Sequence, residues 1–135
     1  MSLITWTKEQ FGTNVSMHDE EHRSIFASLN ALHEIAPKGD RNAIGAAYDK
    51  LVDIVAKHFA SEETNFAKHG WQEKDSHKVM HDELVKTCLD LQAKFRAGKA
   101  EINQETTKFV SEWLTNHIPN IDKGYGPFLN SKGVS

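Results

Sequence analysis

A single cysteine, Cys88, is all the thiol chemistry the chain has. No internal disulfide can form, which suits a reducing compartment. Proline is scarce, three residues in 135, and glycine is limited to eight, so collagen-like and Pro/Gly-rich disordered classes are excluded. No stretch approaches the roughly 18 apolar residues that a membrane-spanning helix needs. Residues 1–8 also lack a charged segment followed by a sustained apolar run. The expectation is a cytoplasmic protein with no membrane span. Nor is charge of one sign gathered anywhere: the 16 Lys and Arg are scattered singly among 19 acids, for a formal net charge of −3. A nucleic-acid partner is not expected from that distribution.

What remains is an ordinary globular composition, 39% apolar and 26% charged, in a length that fits one domain over residues 1–135. Its punctuation marks four helices. The first opens after Ser16, whose hydroxyl is placed to cap it with Asp19 three residues on, and Pro37 and Gly39 close it. Asp40 caps a second that runs unbroken to Gly70. The third begins between Gln72 and Ser76 and stops before Gly98. Asn103 caps the fourth, which ends near Pro119 because the residue before a proline is pushed out of the helical region. The expected helices are therefore about 17–36, 41–69, 73–97 and 104–118. Short links favour antiparallel neighbours, so the fold class is all-α, an up-down-up-down four-helix bundle with a short N-terminal arm and a C-terminal tail.

The inward stripes of these helices, spaced alternately three and four residues apart, are unusual. The third reads His77, His81, Leu84, Cys88, Leu91, Phe95, and the second reads Ile44, Tyr48, Leu51, Val55, His58, Glu62, Phe66. The first gives His22, Ile25, Leu29, Leu32, and the fourth Val110, Trp113, His117. Every helix carries a histidine on its buried seam. Burying so many ionisable groups costs on the order of several kcal/mol each unless something compensates, and a shared metal dication does so by binding imidazole nitrogen and carboxylate oxygen. Residues at i and i+4 lie only about 40° apart around a helix, so His58 with Glu62, and His77 with His81, can each aim at one centre. His117 and Asp122 converge only if the fourth helix breaks near Pro119. Seven such ligands are too many for one zinc, which usually takes four, and suit two irons.

His22, His58-x-x-x-Glu62, His77-x-x-x-His81 and His117-x-x-x-x-Asp122, with the flanking Asn-Val-Ser-Met-His-Asp-Glu-Glu-His22 and Trp113-Leu-Thr-Asn-His-Ile-Pro, resemble the hemerythrin family in its single-domain bacterial type, the bacteriohemerythrins. The resemblance runs from about Trp6 to Pro127. It implies reversible dioxygen binding, as carrier, store or buffer, at a non-haem di-iron centre with an oxo or hydroxo bridge and two bridging carboxylates. Carried over by position, it implies that His77, His81 and His117 hold one iron, that His22 and His58 hold the other, and that Glu62 and Asp122 bridge. Trp113, Leu114 and Ile118 match positions that wall the oxygen pocket, although simple core packing explains them equally well. The resemblance further implies a monomer that is not an enzyme, with dioxygen as its partner and an oxygen-consuming enzyme as recipient.

Other residues read as bystanders. Glu63 competes with Glu62, but its spacing of five from His58 points it to solvent. His18 pairs with His22 at i, i+4 yet lies in the first turn near the bundle's end, outside the ligand pattern. His33 and His69 fall off the stripes and read as surface or loop. Phe26, Phe59, Phe66, Phe95 and Phe109 read as core, and Cys88 as packing. The tail, residues 123–135, is expected to pack in part and carry no chemistry. Among rival functions, an oxygen-activating or peroxide-handling di-iron enzyme of the ferritin-like kind calls for Glu-x-x-His pairs, which none of the inward pairs supplies. A zinc protease fails because Lys78 stands where His-Glu-x-x-His requires its general base. An oxygen sensor would need an output partner outside these residues.

Overall fold

The computed structural model describes residues 3–135; residues 1 and 2 of the expected N-terminal arm lie outside the described residues. Four long helices carry the fold: α2 (Ser16–Ile35), α3 (Arg41–His69), α4 (Lys74–Arg96) and α5 (Gln104–Asn120). A short α1 (Lys8–Phe11) precedes them, and a 3-10 turn (Asp122–Gly124) leads into α6 (Tyr125–Ser131). No strand occurs among the described residues. Helix α2 packs against α3 and α5, and α3 packs against α4, a four-helix bundle.

Local chemistry explains most of the boundaries. The Asp40 carboxylate accepts the Ala43 N–H at 2.7 Å, and Asn103 Oδ1 accepts the N–H groups of Glu105 and Thr106 at 3.0 and 3.3 Å, relieving donors that have no partner inside the helix. Gly70 ends α3 in the left-handed region at φ 75°, where a side chain would be strained.

Four features depart from the sequence-based expectation. Ser16 is the first helical residue and caps nothing; Val15 holds the cap position, and the Asp19 carboxylate turns outward to accept the Thr13 N–H and hydroxyl at 2.9 and 2.8 Å. Helix α5 continues through Pro119 to Asn120, since a proline so near the end removes only one intrahelical bond, and the Ile121 N–H still reaches the His117 carbonyl at 2.8 Å. The chain bends two residues later, at Ile121. Phe109 is 47% exposed, on the outer side of α5, because the buried stripe there runs through Thr107, Val110, Ser111 and Leu114. Finally, the tail is not a fringe: α6 buries Tyr125 and Leu129 completely. It docks through Gly126, where a Cβ would sit 2.1 Å from the Thr13 carbonyl oxygen. Asn130 Nδ2 donates to the carbonyl of Asn14 at 3.0 Å and secures the same junction.

The apolar interior falls into two parts. The larger fills the bundle from Ile25 and Val55 through Leu84 to Phe95 and Val110. The smaller joins Val15, Phe66, Trp71, Tyr125 and Leu129 at one end. On α3 the larger part ends at Phe59 and the smaller contains Phe66, which leaves Glu62 in a polar layer between them.

Candidate metal centre

That layer gathers all seven residues singled out as metal-binding candidates: His22 from α2, His58 and Glu62 from α3, His77 and His81 from α4, His117 from α5, and Asp122 from the 3-10 turn. Each is 5% exposed or less. The Glu62 carboxylate lies across the middle, with Oε1 3.3 Å from His77 Nε2 and 3.2 Å from His81 Nε2, and Oε2 3.3 Å from His58 Nε2 and 3.8 Å from His22 Nε2. Asp122 does likewise, with Oδ1 2.9 Å from His117 Nε2 and 3.1 Å from His77 Nε2, and Oδ2 3.1 Å from His22 Nε2. The donor atoms therefore fall into two groups, His77, His81, His117, Asp122 and His22, His58, Glu62, Asp122, each with its atoms within 4.8 Å of one another.

The geometry is one of convergence and not of hydrogen bonding. Buried Nε2 atoms of His22, His58, His81 and His117, and Oδ1 of Asp122, are close to one another yet have no hydrogen-bond partner. Buried polar atoms are rarely left so. A pair of metal ions among them would satisfy all five, so the donor set fits two cations of the kind that accept nitrogen and oxygen. Without metal, protons must do the work. Burial pulls the His58 pKa down, but the facing Glu62 charge and the Glu21 hydrogen bond outweigh it and lift it to about 10; His77, between Asp122 and Glu62, rises to about 9. Burial pushes both carboxylates up, and the surrounding imidazoles nevertheless hold Glu62 and Asp122 well below the usual carboxylate range.

Around the seven lie partners that the sequence reading missed. Glu21 Oε1 accepts from His58 Nδ1 at 2.8 Å, and Glu63 Oε2 accepts from His81 Nδ1 at 3.0 Å, so each carboxylate orients the imidazole it touches. Glu63 is half-buried and hydrogen-bonded, where solvent was expected: its five-residue spacing turns it away from His58 but toward His81 on the neighbouring helix. Tyr125, from the tail that was expected to carry no chemistry, donates its hydroxyl to Glu62 Oε2 at 2.6 Å. Its only sequence signal was the three-residue step from Asp122, hidden among Gly124, Gly126 and Pro127. His18 is buried completely and faces Glu21 and Asn65; the first turn of α2 is covered by α6, so it is not a bundle-end surface. His33 is half-buried and hydrogen-bonded to Thr107 on α5, and His69 is half-buried at the end of α3.

Of the three pocket candidates, Leu114 and Ile118 are buried in the larger core, while Trp113 sits half-buried at its rim and stacks on the His117 ring at 4.1 Å. Phe59 stacks on His81 at 3.7 Å, so aromatic faces back both rings.

Known proteins resemble this chain in sequence and fold. A bacteriohemerythrin of Methylococcus capsulatus is 52% identical over 131 residues, 97% of this chain and all of the relative. A bacteriohemerythrin of Pseudomonas aeruginosa is 31% identical, with 93% of this chain matching 80% of it. The crystal structure of a wild-type hemerythrin superposes with a TM-score of 0.92 at 52% identity, covering 93% of this chain and 97% of the other. The family described as the hemerythrin HHE cation binding domain matches residues 13–129, and with these relatives it establishes that the chain belongs to the hemerythrin family.

Proposed function

We propose that this protein binds dioxygen reversibly at a non-haem di-iron centre, acting as a carrier, store or buffer and not as an enzyme. The observation that carries the reading is the convergence of five buried imidazoles and two buried carboxylates, with Nε2 of His22, His58, His81 and His117 and Oδ1 of Asp122 left without hydrogen-bond partners. In this reading His77, His81 and His117 hold one iron, His22 and His58 hold the other, and Glu62 and Asp122 span both. When bound, such an iron pair supplies the electrons and the free coordination position that reversible dioxygen binding needs. The side with two imidazoles instead of three is where room for the gas is left. Two Fe2+ against two carboxylates and one hydroxide would leave a single net positive charge to bury, which the apolar layers on either side can tolerate. Leu114, Ile118 and Trp113 wall the pocket and keep water away, and Tyr125 steadies Glu62.

No helix among the described residues is long and apolar enough to cross a membrane. Together with the lone cysteine, this supports placing the protein in the cytoplasm. The reading extends to a monomer that hands dioxygen to an oxygen-consuming enzyme.

The test is to reduce the purified protein without air, count iron, then admit and withdraw dioxygen repeatedly while recording the visible spectrum. Two irons per chain and a colour change that reverses on each cycle are expected. Fewer irons would overturn the ligand set. Irreversible bleaching, or turnover of added peroxide at every cycle, would favour the oxygen-activating enzyme instead.

A further inference from the structure

Hydrogen counting around His18 points to residues outside the seven that shape one side of the centre. His18 Nδ1 lies 2.8 Å from Glu21 Oε1, and the same oxygen lies 2.8 Å from His58 Nδ1. An ionised carboxylate can only accept, so both imidazoles carry their proton on Nδ1. A neutral imidazole with that proton has a bare Nε2 that must find a donor, and Asn65 Nδ2 stands 3.0 Å from His18 Nε2. The chain of bonds then closes without conflict: Asn65 donates to His18, His18 donates to Glu21, and His58 donates to Glu21 from the other side. Once His58 gives up its Nε2 proton, as metal binding requires, the Nε2 lone pair is left aimed at the centre with Nδ1–H held by Glu21, the form in which a metal can bind it.

The other side of the layer has no such anchor. Glu63 accepts from His81 Nδ1 at 3.0 Å, and it is as exposed as Glu21, 27% in each case, yet no second imidazole holds it. Glu21 is thus pinned by a fully buried histidine and Glu63 is not. His18 is also wedged against the edge of Tyr125, with ring centroids 5.4 Å apart, which fixes its own orientation.

We propose that His18 and Asn65 are positioning residues that hold Glu21 on His58 and thereby set the tautomer and orientation of His58 alone. This rests on the ligand reading given above. The effect travels through Glu21 and touches no metal directly.

The protein loaded with zinc(II), which is diamagnetic, allows imidazole nitrogens to be read by 15N NMR. In the parent, His58 and His81 are each expected to show a metal-shifted Nε2 and a protonated Nδ1. If those Nε2 signals are not metal-shifted, the ligand reading fails, and this inference falls with it. If they are, His18→Leu is expected to speed solvent exchange of the His58 Nδ1 proton about tenfold or more, the loss of one hydrogen bond to a charged group. The His81 Nδ1 proton should be unmoved. His18→Asn, which restores an N–H at the Nδ1 position, should return most of the protection. Should His18→Leu fail to fold, Asn65→Leu carries the same test with a smaller change in the same direction. An unchanged His58 proton, or equal loosening at His58 and His81, would overturn the inference.

Discussion

The two halves of the bundle have the same periodicity and opposite energetics. Away from the centre, the stripes of α2 and α3 bury Ile25, Leu29, Leu32, Leu51 and Val55, each worth roughly 1.5–3 kcal/mol when removed from water. The buried Tyr48 hydroxyl there donates to the Cys88 carbonyl at 2.6 Å. One to two turns further, the same stripes present His22, His58 and Glu62, whose burial opposes folding unless protons, hydrogen bonds or metal compensate. The difference teaches that the apolar half and the α6 cap hold a layer together that could not hold itself, and that this layer should respond to metal while the rest does not.

Substituting one residue in each half separates them most sharply. His81→Ala should lose metal from its side and with it the linked stabilisation, about 4 kcal/mol when free metal stands 1,000-fold above its dissociation constant. Metal analysis and thermal melts with and without Fe2+ under anaerobic conditions read this directly. Two irons retained in His81→Ala would break the comparison. Leu29→Ala, in the other half, should cost about 2–5 kcal/mol through the cavity it leaves, and chemical denaturation should give the same loss whether or not metal is bound.

Much of this contrast was legible in the sequence because helix periodicity alone places the inward residues. The stripe of α3, from Ile44 through His58 and Glu62 to Phe66, is buried at every position named. The caps at Asp40 and Asn103 were legible too, since a short polar side chain there finds its partners among the free N–H groups of its own helix's first turn. What was hidden depended on contacts between elements distant in sequence. Asp19 left its helix to bind Thr13, a choice no spacing reveals. Glu63 pointed the wrong way for its own helix and the right way for α4. Tyr125 lay in a stretch whose Gly and Pro read as breakers, although Gly126 is there so that α6 can approach the Thr13 carbonyl. The complete burial of His18 was hidden because the end of the bundle looks open until α6 closes it.

Acidity sharpens the comparison next, and its sign differs between the metal-free and loaded states. In the metal-free protein His58 and His77 are raised to about 10 and about 9, so their contribution is complete below the ordinary imidazole pKa of about 6.5 and is lost as pH rises through 9 to 10. Glu62 and Asp122 are depressed, so theirs is present above the ordinary carboxylate range and lost as pH falls below it. Metal binding runs the other way on the alkaline side, because imidazole must shed its proton to become a ligand. The gap in melting temperature between loaded and metal-free protein should therefore widen from pH 6.5 to 9, with proton release on loading measurable at pH 7 in buffers of different ionisation enthalpy. A gap that narrows over this range would show that these imidazoles do not bind the metal.

The smallest effect belongs to His33, a histidine in the half that should ignore metal. It sits on α2 eleven residues beyond His22, about 16 Å along the axis, and its Nδ1 lies 2.7 Å from Thr107 Oγ1. The Thr107 hydroxyl already donates to the Gln104 carbonyl at 3.0 Å, so the imidazole supplies the proton between them. Gln104 also donates to the His33 backbone carbonyl at 3.1 Å, a bond that alanine would keep. His33→Ala thus removes the half-exposed imidazole–Thr107 hydrogen bond between α2 and α5 and a long contact from Gln104 Nε2 to His33 Nε2 at 3.5 Å, together worth about 1 kcal/mol. Denaturant midpoints should shift by that amount equally in loaded and metal-free protein, with iron content unchanged. Loss of iron in this variant would mean that the two halves are coupled through α2, against the independence that the buried apolar stripe between them implies.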